Sequence, residues 1–505
     1  MRLRRLWGLL LAGLLLLAGC AAPEAGETQT PPAPSPSQEV QSRVFTLART
    51  QESLHPILST DRVNLALTGL LSEGLFELDQ SFQPQNVLCQ SYQVSEDGLT
   101  WTFALRAGVT FSDGSALTAG DAAASLELAR TSDRFSGRLA GVRQVTAGEG
   151  TVTVTLSAPN GALPALLDIP IVKEGGGAVP LGTGPYVLDP SGEVLTARAD
   201  WWRGGALPAE SIPLVTIRAA DDLIYTFDIG DLSLVTADLT GTGALGFAGD
   251  HEVWDCPSTT MIYIGYNCAQ GPCAGAALRR ALDRAWDRST VAAALFSRHA
   301  QAAVLPVHPA SPLYDGEMDQ RRGYSPQVLE ELLVQAGCVR GQEGNWTQNG
   351  SPLALTFLVN TDNTFRLSAA EYLAEELTRA GISVDLQKLP WNDYLQALER
   401  GNFDLYLGAT TLSADFDPAP LLTGDLNYGG YVNFQTSALL GAYQGASGEA
   451  RTSAASALWA ALETEVPFST LCFTNQSVLT QRGAASGLTP TQQNPFYNIG
   501  SWSIP

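Results

Sequence analysis

Lysine is all but missing from this chain. It occurs at positions 173 and 388 and nowhere else in 505 residues. Arginine fills the other basic positions, a bias of genome composition rather than of function. Histidine is nearly as scarce, with His55, His251, His299 and His308 scattered along the sequence. Isolated histidines serve structural or solvated roles more often than they ligate metal. Positive charge is short as a whole: 29 Lys and Arg stand against 51 Asp and Glu, for a formal charge of −22. Such a chain repels phosphate backbones, which excludes general nucleic-acid binding. No CxxC pair exists, so zinc ribbons and thioredoxin motifs are out. GxSxG, HExxH and EF-hand loops are missing, and neither lysine has a serine three residues before it, which removes SxxK hydrolases. Glycine (49) and proline (29) are at ordinary levels, so collagen-like and low-complexity classes fall away. What is present is ample apolar material, 45% of residues against 16% charged. That suffices for a sizeable core, and the length predicts about three folding units.

Arg2, Arg4 and Arg5 precede an apolar run from Leu6 to Leu17. The run is too short for a bilayer span, which needs about 20 residues, and has the form of a signal-peptide core. It ends in Leu17-Ala18-Gly19-Cys20, which resembles the lipobox of bacterial lipoproteins. The resemblance implies cleavage after residue 19 and diacylglycerol on Cys20. Several acyl chains anchor stably where one does not. Residues 20–42 then form a Pro-rich tether without apolar periodicity, and folding is expected to begin near Arg43. The six remaining cysteines, at 89, 256, 268, 273, 338 and 472, allow 15 complete pairings. Buried free thiols are the alternative, and the sequence leaves both open.

From 43 to about 160 the pattern is strand-like. Trp101, Phe103 and Leu105 alternate with polar residues, as do Val152, Val154 and Leu156, the period of a half-buried strand. After about residue 275 three- and four-residue spacing takes over, as in Leu278, Ala281, Leu282, Ala285 and Trp286. Ser325-Pro326 predicts a helix start that Gly337 closes. Residues 353–408 predict β-α-β-α-β: strands at 353–360, 382–386 and 403–407, and helices at 367–380 and 391–400. That order demands right-handed crossovers and a parallel sheet. Ligands of such sheets bind beyond the carboxyl ends of the strands. The segment leaving the third predicted strand, from Gly408 to Pro418, carries Asp415 and Asp417, which are the candidate ligand-binding carboxylates.

Six segments, in order, carry a family resemblance: Ser72–Phe76; Val94–Phe103 running into Leu105–Gly114; Leu117-Thr118-Ala119; Gly182-Thr183-Gly184-Pro185-Tyr186; Ile262–Asn267; and Arg279–Ala285. The chain resembles the family 5 extracellular solute-binding proteins of bacterial ABC importers, the peptide- and nickel-binding group, over essentially its whole mature length. The resemblance implies an α/β fold, a two-lobed periplasmic-binding-protein clamshell with an extra domain in the first lobe, built of mixed sheets with flanking helices. Lobe 1 would span 43–265 with an inserted subdomain at about 76–180, lobe 2 would span 266–475, and 476–505 would return to lobe 1. The crossing strands would lie near Tyr263–Asn267 and Cys472–Leu479. In peptide-binding members an Asp at the position of Asp415 pairs with the ligand's α-ammonium. Those members often carry Trp where Leu412 stands here. The turn residues Leu412, Ala414, Asp415 and Phe416 are the candidate ligand contacts; Trp391, one helix before them, and Tyr428, after them, read either as core packing or as a lining that covers an extended ligand, and by family position Ser59 and Thr60 contribute from lobe 1. Tyr394 and Tyr431 are further aromatic candidates.

Gly241–Gly246 spells GxGxxG, but a glycine loop outweighs a dinucleotide site, because no βα unit follows and an exported protein meets no nicotinamide pool. The expectation is therefore a monomeric, lipid-anchored, extracytoplasmic binding protein that catalyses no reaction and needs no cofactor or resident metal. It would capture a small solute, foremost an oligopeptide, for a permease and its ATPase. A nickel chelate that brings its own ligands, or a sensor or scaffold role, are the alternatives.

Overall fold

A computed structural model describes residues 44–505 except 176–178 and 245. The signal segment, Cys20 and the tether lie outside the described residues. The stretch 353–411 folds as its sequence predicts. Strands Ala354–Asn360, Ser383–Leu389 and Leu405–Thr411 alternate with helices Thr364–Arg379 and Trp391–Glu399. Both neighbours of Ala354–Asn360 run parallel to it. Asn363 starts the first helix by accepting from the Arg366 amide, and Gly381 and Gly401 close the two helices at φ values of 89° and 68°, where a side chain would be strained. The third strand does not stop at Leu407 as expected. It continues to Thr411 because it also pairs antiparallel with a long strand, from Leu405 opposite Tyr266 to Thr411 opposite Thr260. The turn that carries Asp415 therefore begins only at Leu412.

That long partner is His251–Tyr266, and it pairs antiparallel with Phe468–Gln481. Around this pair runs one eleven-stranded sheet, in the order 383–389, 354–360, 405–411, 251–266, 468–481, 234–237, 47–49, 211–216, 194–197 and 186–188, with 300–302 beside 468–481. The ladder breaks register between Pro257 and Met261. Proline supplies no N–H there, and side chains fill the gap: the Ser258 hydroxyl donates to the Thr474 carbonyl at 2.6 Å and accepts from the Thr260 amide at 3.1 Å. The expected crossing segments fall inside these strands except for Asn267, whose side chain instead donates to the carbonyls of Gly401 and Phe403. Two glycines of this sheet face tyrosines across the ladder, Gly265 opposite Tyr406 and Gly408 opposite Tyr263. A Cβ on either glycine would strike the facing ring, so Gly and Tyr are chosen together.

A second sheet, antiparallel, orders its strands as 89–94, 100–105, 151–156 and 142–147. Trp101, Phe103, Val152, Val154 and Leu156 are buried as their alternation predicts, and helix Ala119–Thr131 covers them from a Thr118–Asp121 capping box. The Arg279–Ala285 motif is structural. Buried Arg279 donates to the carbonyls of Cys273, Ala274, Glu465 and Val466. Buried Asp283 pairs with Arg288 and Arg322 and accepts from Ser469. Burial alone would raise its pKa, but the two guanidiniums outweigh this and hold it below the usual carboxylate range. All six cysteines are free thiols, which settles the choice left open above, and burial pushes thiols such as Cys256 up to about 12. Among the described residues no helix is long and apolar enough to cross a membrane.

His308 is wholly buried between Phe82 and Phe473. Its Nδ1 accepts from the Ala310 amide while Nε2 has no partner. Burial disfavours the cation and lowers the pKa to about 4. The unfolded chain thus takes up a proton below about pH 6.5 that the folded chain refuses, so stability is full above that pH and falls as the pH drops. Between pH 7 and pH 5 this single site is expected to cost about 2 kcal/mol. Urea unfolding of the protein and of His308→Asn across that range tests it. The variant should lose less stability, and equal slopes would show that His308 does not carry the effect.

Candidate functional site

Beyond the end of strand Leu405–Thr411 the chain turns sharply. The Leu412 amide donates to the Thr259 carbonyl, inside the irregular stretch of the crossing ladder, at 3.0 Å. Three residues on, Asp415 is buried, with 6% of its surface exposed. Its backbone carbonyl is fixed by the Tyr443 hydroxyl at 2.8 Å and Arg451 Nη2 at 2.7 Å. Arg451 in turn lies 4.0 Å over the Tyr443 ring. Among the described residues the carboxylate itself accepts only neutral donors: the Ser413 hydroxyl on Oδ1, and Asn160 Nδ2 on Oδ2 at 3.3 Å. Its electrostatic environment includes Arg138, whose pKa burial lowers to about 10 and whose charge Asp415 favours. Arg138, however, is committed to an ion pair with Asp168. A buried carboxylate with no cation bonded to it holds unspent attraction for a positive group. Asp417 differs. It accepts from the Ala419 amide at 2.9 Å and from Gln444 at 2.8 Å, so it shapes the turn and caps the short helix Ala419–Leu422.

Asn160 comes from the region of the four-stranded sheet, far from Asp415 in sequence. The same seam is held by the Gly161 amide, which donates to the Gln444 carbonyl at 2.8 Å. A Cβ on Gly161 would sit 1.9 Å from the Ala446 carbonyl. Phe82, at the tip of the hairpin Phe76–Leu78/Pro84–Asn86, inserts across the seam. Its ring meets Phe416 edge-on at 4.9 Å. The hairpin tip holds Phe82 at φ 61°, left-handed backbone that costs a non-glycine residue about 1 kcal/mol.

The other candidates divide into groups. Leu412 and Phe416 are buried in an aromatic core with Tyr263, Leu358 and Phe473, while Ala414 is half-buried in the turn. Trp391 is 48% exposed and stacks on Tyr394 at 5.9 Å. Trp391, Tyr394 and Tyr428 line a small cavity of about 70 Å³ together with Asn360, Arg366 and Tyr406. Tyr431 is buried, and its hydroxyl bonds Thr436. Ser59 is buried and Thr60 exposed. The Ser59 hydroxyl accepts from the Asp61 amide at 3.2 Å. Ser59 and Thr60 line neither this cavity nor the Asp415 turn. The described residues of the GxGxxG segment lie in a loop, and strand His251–Tyr266 follows. Its Thr242 hydroxyl accepts from Arg366 Nη2 at 3.0 Å. Asn160, Arg138, Phe82 and Arg366 escaped sequence reasoning. Only the turn signal Pro159-Asn160-Gly161 marked any of them.

Residues 83–431 match the sequence profile of bacterial extracellular solute-binding proteins, family 5 middle. The glutathione-binding protein GsiB of Salmonella choleraesuis is 28% identical over 305 residues, 56% of this chain and 59% of that protein. The chain thus spans about three fifths of the length of such curated relatives. Protein XP55 of Streptomyces lividans is 28% identical over 375 residues, 70% of this chain and 68% of that one. Among solved structures, the periplasmic murein tripeptide binding protein MppA in its unliganded open form superposes with a TM-score of 0.73 at 20% identity, covering 91% of this chain and 98% of that one. A nickel ABC transporter protein from Bacillus halodurans does so at 0.73 and 19%, covering 89% and 97%. At such identities the structures establish the shared two-lobed α/β fold.

Phe82 generates a prediction in which two effects oppose. Truncating a buried Phe costs about 3–5 kcal/mol, while glycine at a left-handed position recovers about 1 kcal/mol. Phe82→Gly is therefore expected to lose about 2–4 kcal/mol, and Phe82→Ala about 1 kcal/mol more than that. Chemical denaturation of both variants decides it, and an alanine variant more stable than the glycine one would refute strain at the hairpin tip.

Proposed function

Because the chain belongs to the bacterial extracellular solute-binding proteins of family 5, we propose that it is the substrate-binding component of an ABC importer. It captures a small solute between two lobes and hands it to a membrane permease driven by an ATPase, and it catalyses no reaction itself. The lobes are 43–265, carrying the insertion at about 76–180, and 266–475, with 476–505 returning to the first. The proposed solute is an oligopeptide, and the observation that carries this is the Asp415 carboxylate: buried, beyond the carboxyl end of a parallel strand, and hydrogen-bonded only by neutral groups. An α-ammonium arriving at the seam takes the place of Asn160 on Oδ2 and supplies the missing charge. Exposed Trp391 and half-buried Tyr428, with Arg366 beside them, offer aromatic faces and a cation for the remainder of a peptide. Among the described residues no group of three or more His, Cys, Asp or Glu side chains could hold a metal ion. A nickel chelate would therefore have to bring its own ligands.

Removing one partner of a buried charge pair costs about 3–5 kcal/mol, and about 1.4 kcal/mol is tenfold in affinity. With partial solvent access, Asp415→Ala is expected to weaken peptide binding about 100-fold or more. Asp417→Ala, which loses a turn cap, should cost far less. The test begins with peptides co-purified with the full chain and identified by mass spectrometry. These are titrated back by calorimetry, free and N-acetylated. Full-strength binding of the acetylated peptide, or of the free peptide to Asp415→Ala, would sink the peptide assignment. The lipid anchor at Cys20 belongs to the same proposal. Cys20→Ala should move the protein from the membrane fraction to the soluble one, and a variant that remains in the membranes would remove it.

A further inference from the structure

A larger cavity lies elsewhere, away from the Asp415 seam. It measures about 380 Å³, within the usual range for small-molecule sites. Its walls come only from residues 68–87, 134–135, 168–170, 185, 201–204 and 491–501. No residue between 205 and 490 contributes, so neither Asp415 nor the aromatic cavity at Trp391 is part of it. Its lining includes two carboxylates, Glu73 and Glu77, that share one guanidinium, Arg203, at 3.0 and 3.7 Å. The Glu73 side chain is 6% exposed; its Oε2 accepts from Thr183 and Trp202, while its Oε1 faces Arg203 Nε at 3.0 Å without the geometry of a hydrogen bond. The cavity is also lined by Arg134, which donates to the Pro56 carbonyl at 2.7 Å and forms no ion pair with a carboxylate among the described residues. Asp168, also in the wall, has its charge balanced by the Arg138 ion pair, although neither of its carboxyl oxygens accepts a hydrogen bond among the described residues. The indole N–H of Trp201 is buried in the lining and has no acceptor.

Counted with Arg138, which lies behind Asp168 and outside the lining, the charges sum to zero but are unbalanced in their parts. One negative charge is in excess at Glu73, Glu77 and Arg203, and one positive charge is uncompensated at Arg134. Glu73 is buried and Arg134 half-buried; charge withdrawn from water without a full partner is costly, and a molecule carrying both signs offsets both imbalances at once. We propose that this cavity is a second ligand site, confined to the first lobe, that takes a free α-amino acid. The ammonium lies against Glu73 and Glu77, and the carboxylate against Arg134. Burial raises the pKa of Glu73 despite Arg203, as it should for a carboxylate that wants a further cation. The amino acid is the same kind of zwitterion as the proposed peptide cargo but shorter, and it is held by residues the cargo does not touch.

The test uses the full chain carrying Asp415→Ala, so that the seam is disabled and the outcome does not depend on the peptide reading. Saturation-transfer NMR and calorimetry probe the free L-amino acids one by one, and then N-acetylalanine and alaninamide, each of which lacks one of the two charges. The expected result is that at least one free amino acid binds despite Asp415→Ala. Its affinity should fall at least tenfold in Arg134→Gln and in Glu73→Gln. The two blocked alanine derivatives should bind at least tenfold more weakly than alanine. Should Glu73→Gln fail to fold because Thr183 and Trp202 depend on it, Glu77→Gln replaces it. Two results overturn the proposal: no free amino acid binds at millimolar concentration, or binding is indifferent to Arg134→Gln.

Discussion

The antiparallel pair His251–Tyr266 and Phe468–Gln481 is the constraint on which the rest of this structure hangs. Near the end that faces Leu405–Thr411, Ile262, Ile264 and Tyr266 are buried in one core cluster while Met261, Tyr263 and Phe473 are buried in another, which is possible only if layers cover the sheet on both sides. At the other end the partner becomes strand Leu234–Ala237. Between the two ends the ladder is interrupted at Pro257–Met261, where the backbone is satisfied by serine and glutamine side chains rather than by the opposite strand. A hinge needs only a few residues able to absorb a change in φ and ψ, and an interrupted ladder has fewer bonds to break there. Beside the interruption, Asp255 ties the two strands together through Ser477 at 2.6 Å and Asn475 at 3.3 Å, with His299 at 2.9 Å. The Asp415 turn begins on this same irregular stretch through the Leu412–Thr259 hydrogen bond. Any bending of the ladder therefore moves the turn directly.

Two buried aspartates illustrate how charge is apportioned. Asp283 is compensated by Arg288 and Arg322 and bonded by Ser469, so it is electrostatically complete and locks distant segments together. Asp415 is equally buried but receives only a hydroxyl and an amide. A neutral donor to an ion contributes about 1.5–3 kcal/mol, less than a desolvated carboxylate loses on leaving water. The difference between complete and incomplete compensation, rather than burial itself, separates a structural carboxylate from one that can act on a ligand.

The same contrast explains what could be read in advance. The β-α-β-α-β stretch was legible because its signals are local: an asparagine cap at 363, glycines that end helices at 381 and 401, and alternation within strands. The rule that ligands sit beyond the carboxyl ends of parallel strands then pointed to Asp415 without knowledge of its neighbours. Asn160, Arg138 and Phe82 were not legible, because their importance lies in contacts with segments hundreds of residues away. Phe82 was the least visible, since an aromatic residue between polar ones looks like a strand end and nothing local marks a left-handed turn. The free thiols were equally hidden, as an even number of cysteines fits pairing and burial alike. The extension of the third strand to Thr411 depended on a partner strand more than a hundred residues earlier.

The seam has protein contacts of its own, and these bound what a ligand can do. Asn160 on Asp415, the Gly161–Gln444 hydrogen bond and the Phe82–Phe416 edge contact join its two sides. A ligand shifts such an equilibrium only by its differential affinity for the joined state, and a shift from 1:99 to 99:1 requires about 5.5 kcal/mol. Under the proposed peptide reading, an ammonium that displaces Asn160 gains a bond between two ions but forfeits one from a neutral donor to an ion, which leaves about 1–2 kcal/mol. The larger part must come from surface that only the ligand can cover. Trp391 and Tyr428 are the exposed and half-buried aromatic faces of the cavity that Gly408 and Ala409 of the same strand also line, and large aromatic rings supply most contact energy per residue in binding sites. If the proposed peptide is the cargo, recognition divides into two tasks: the carboxylate fixes where the positive end sits, and the aromatic wall decides whether the two sides stay together.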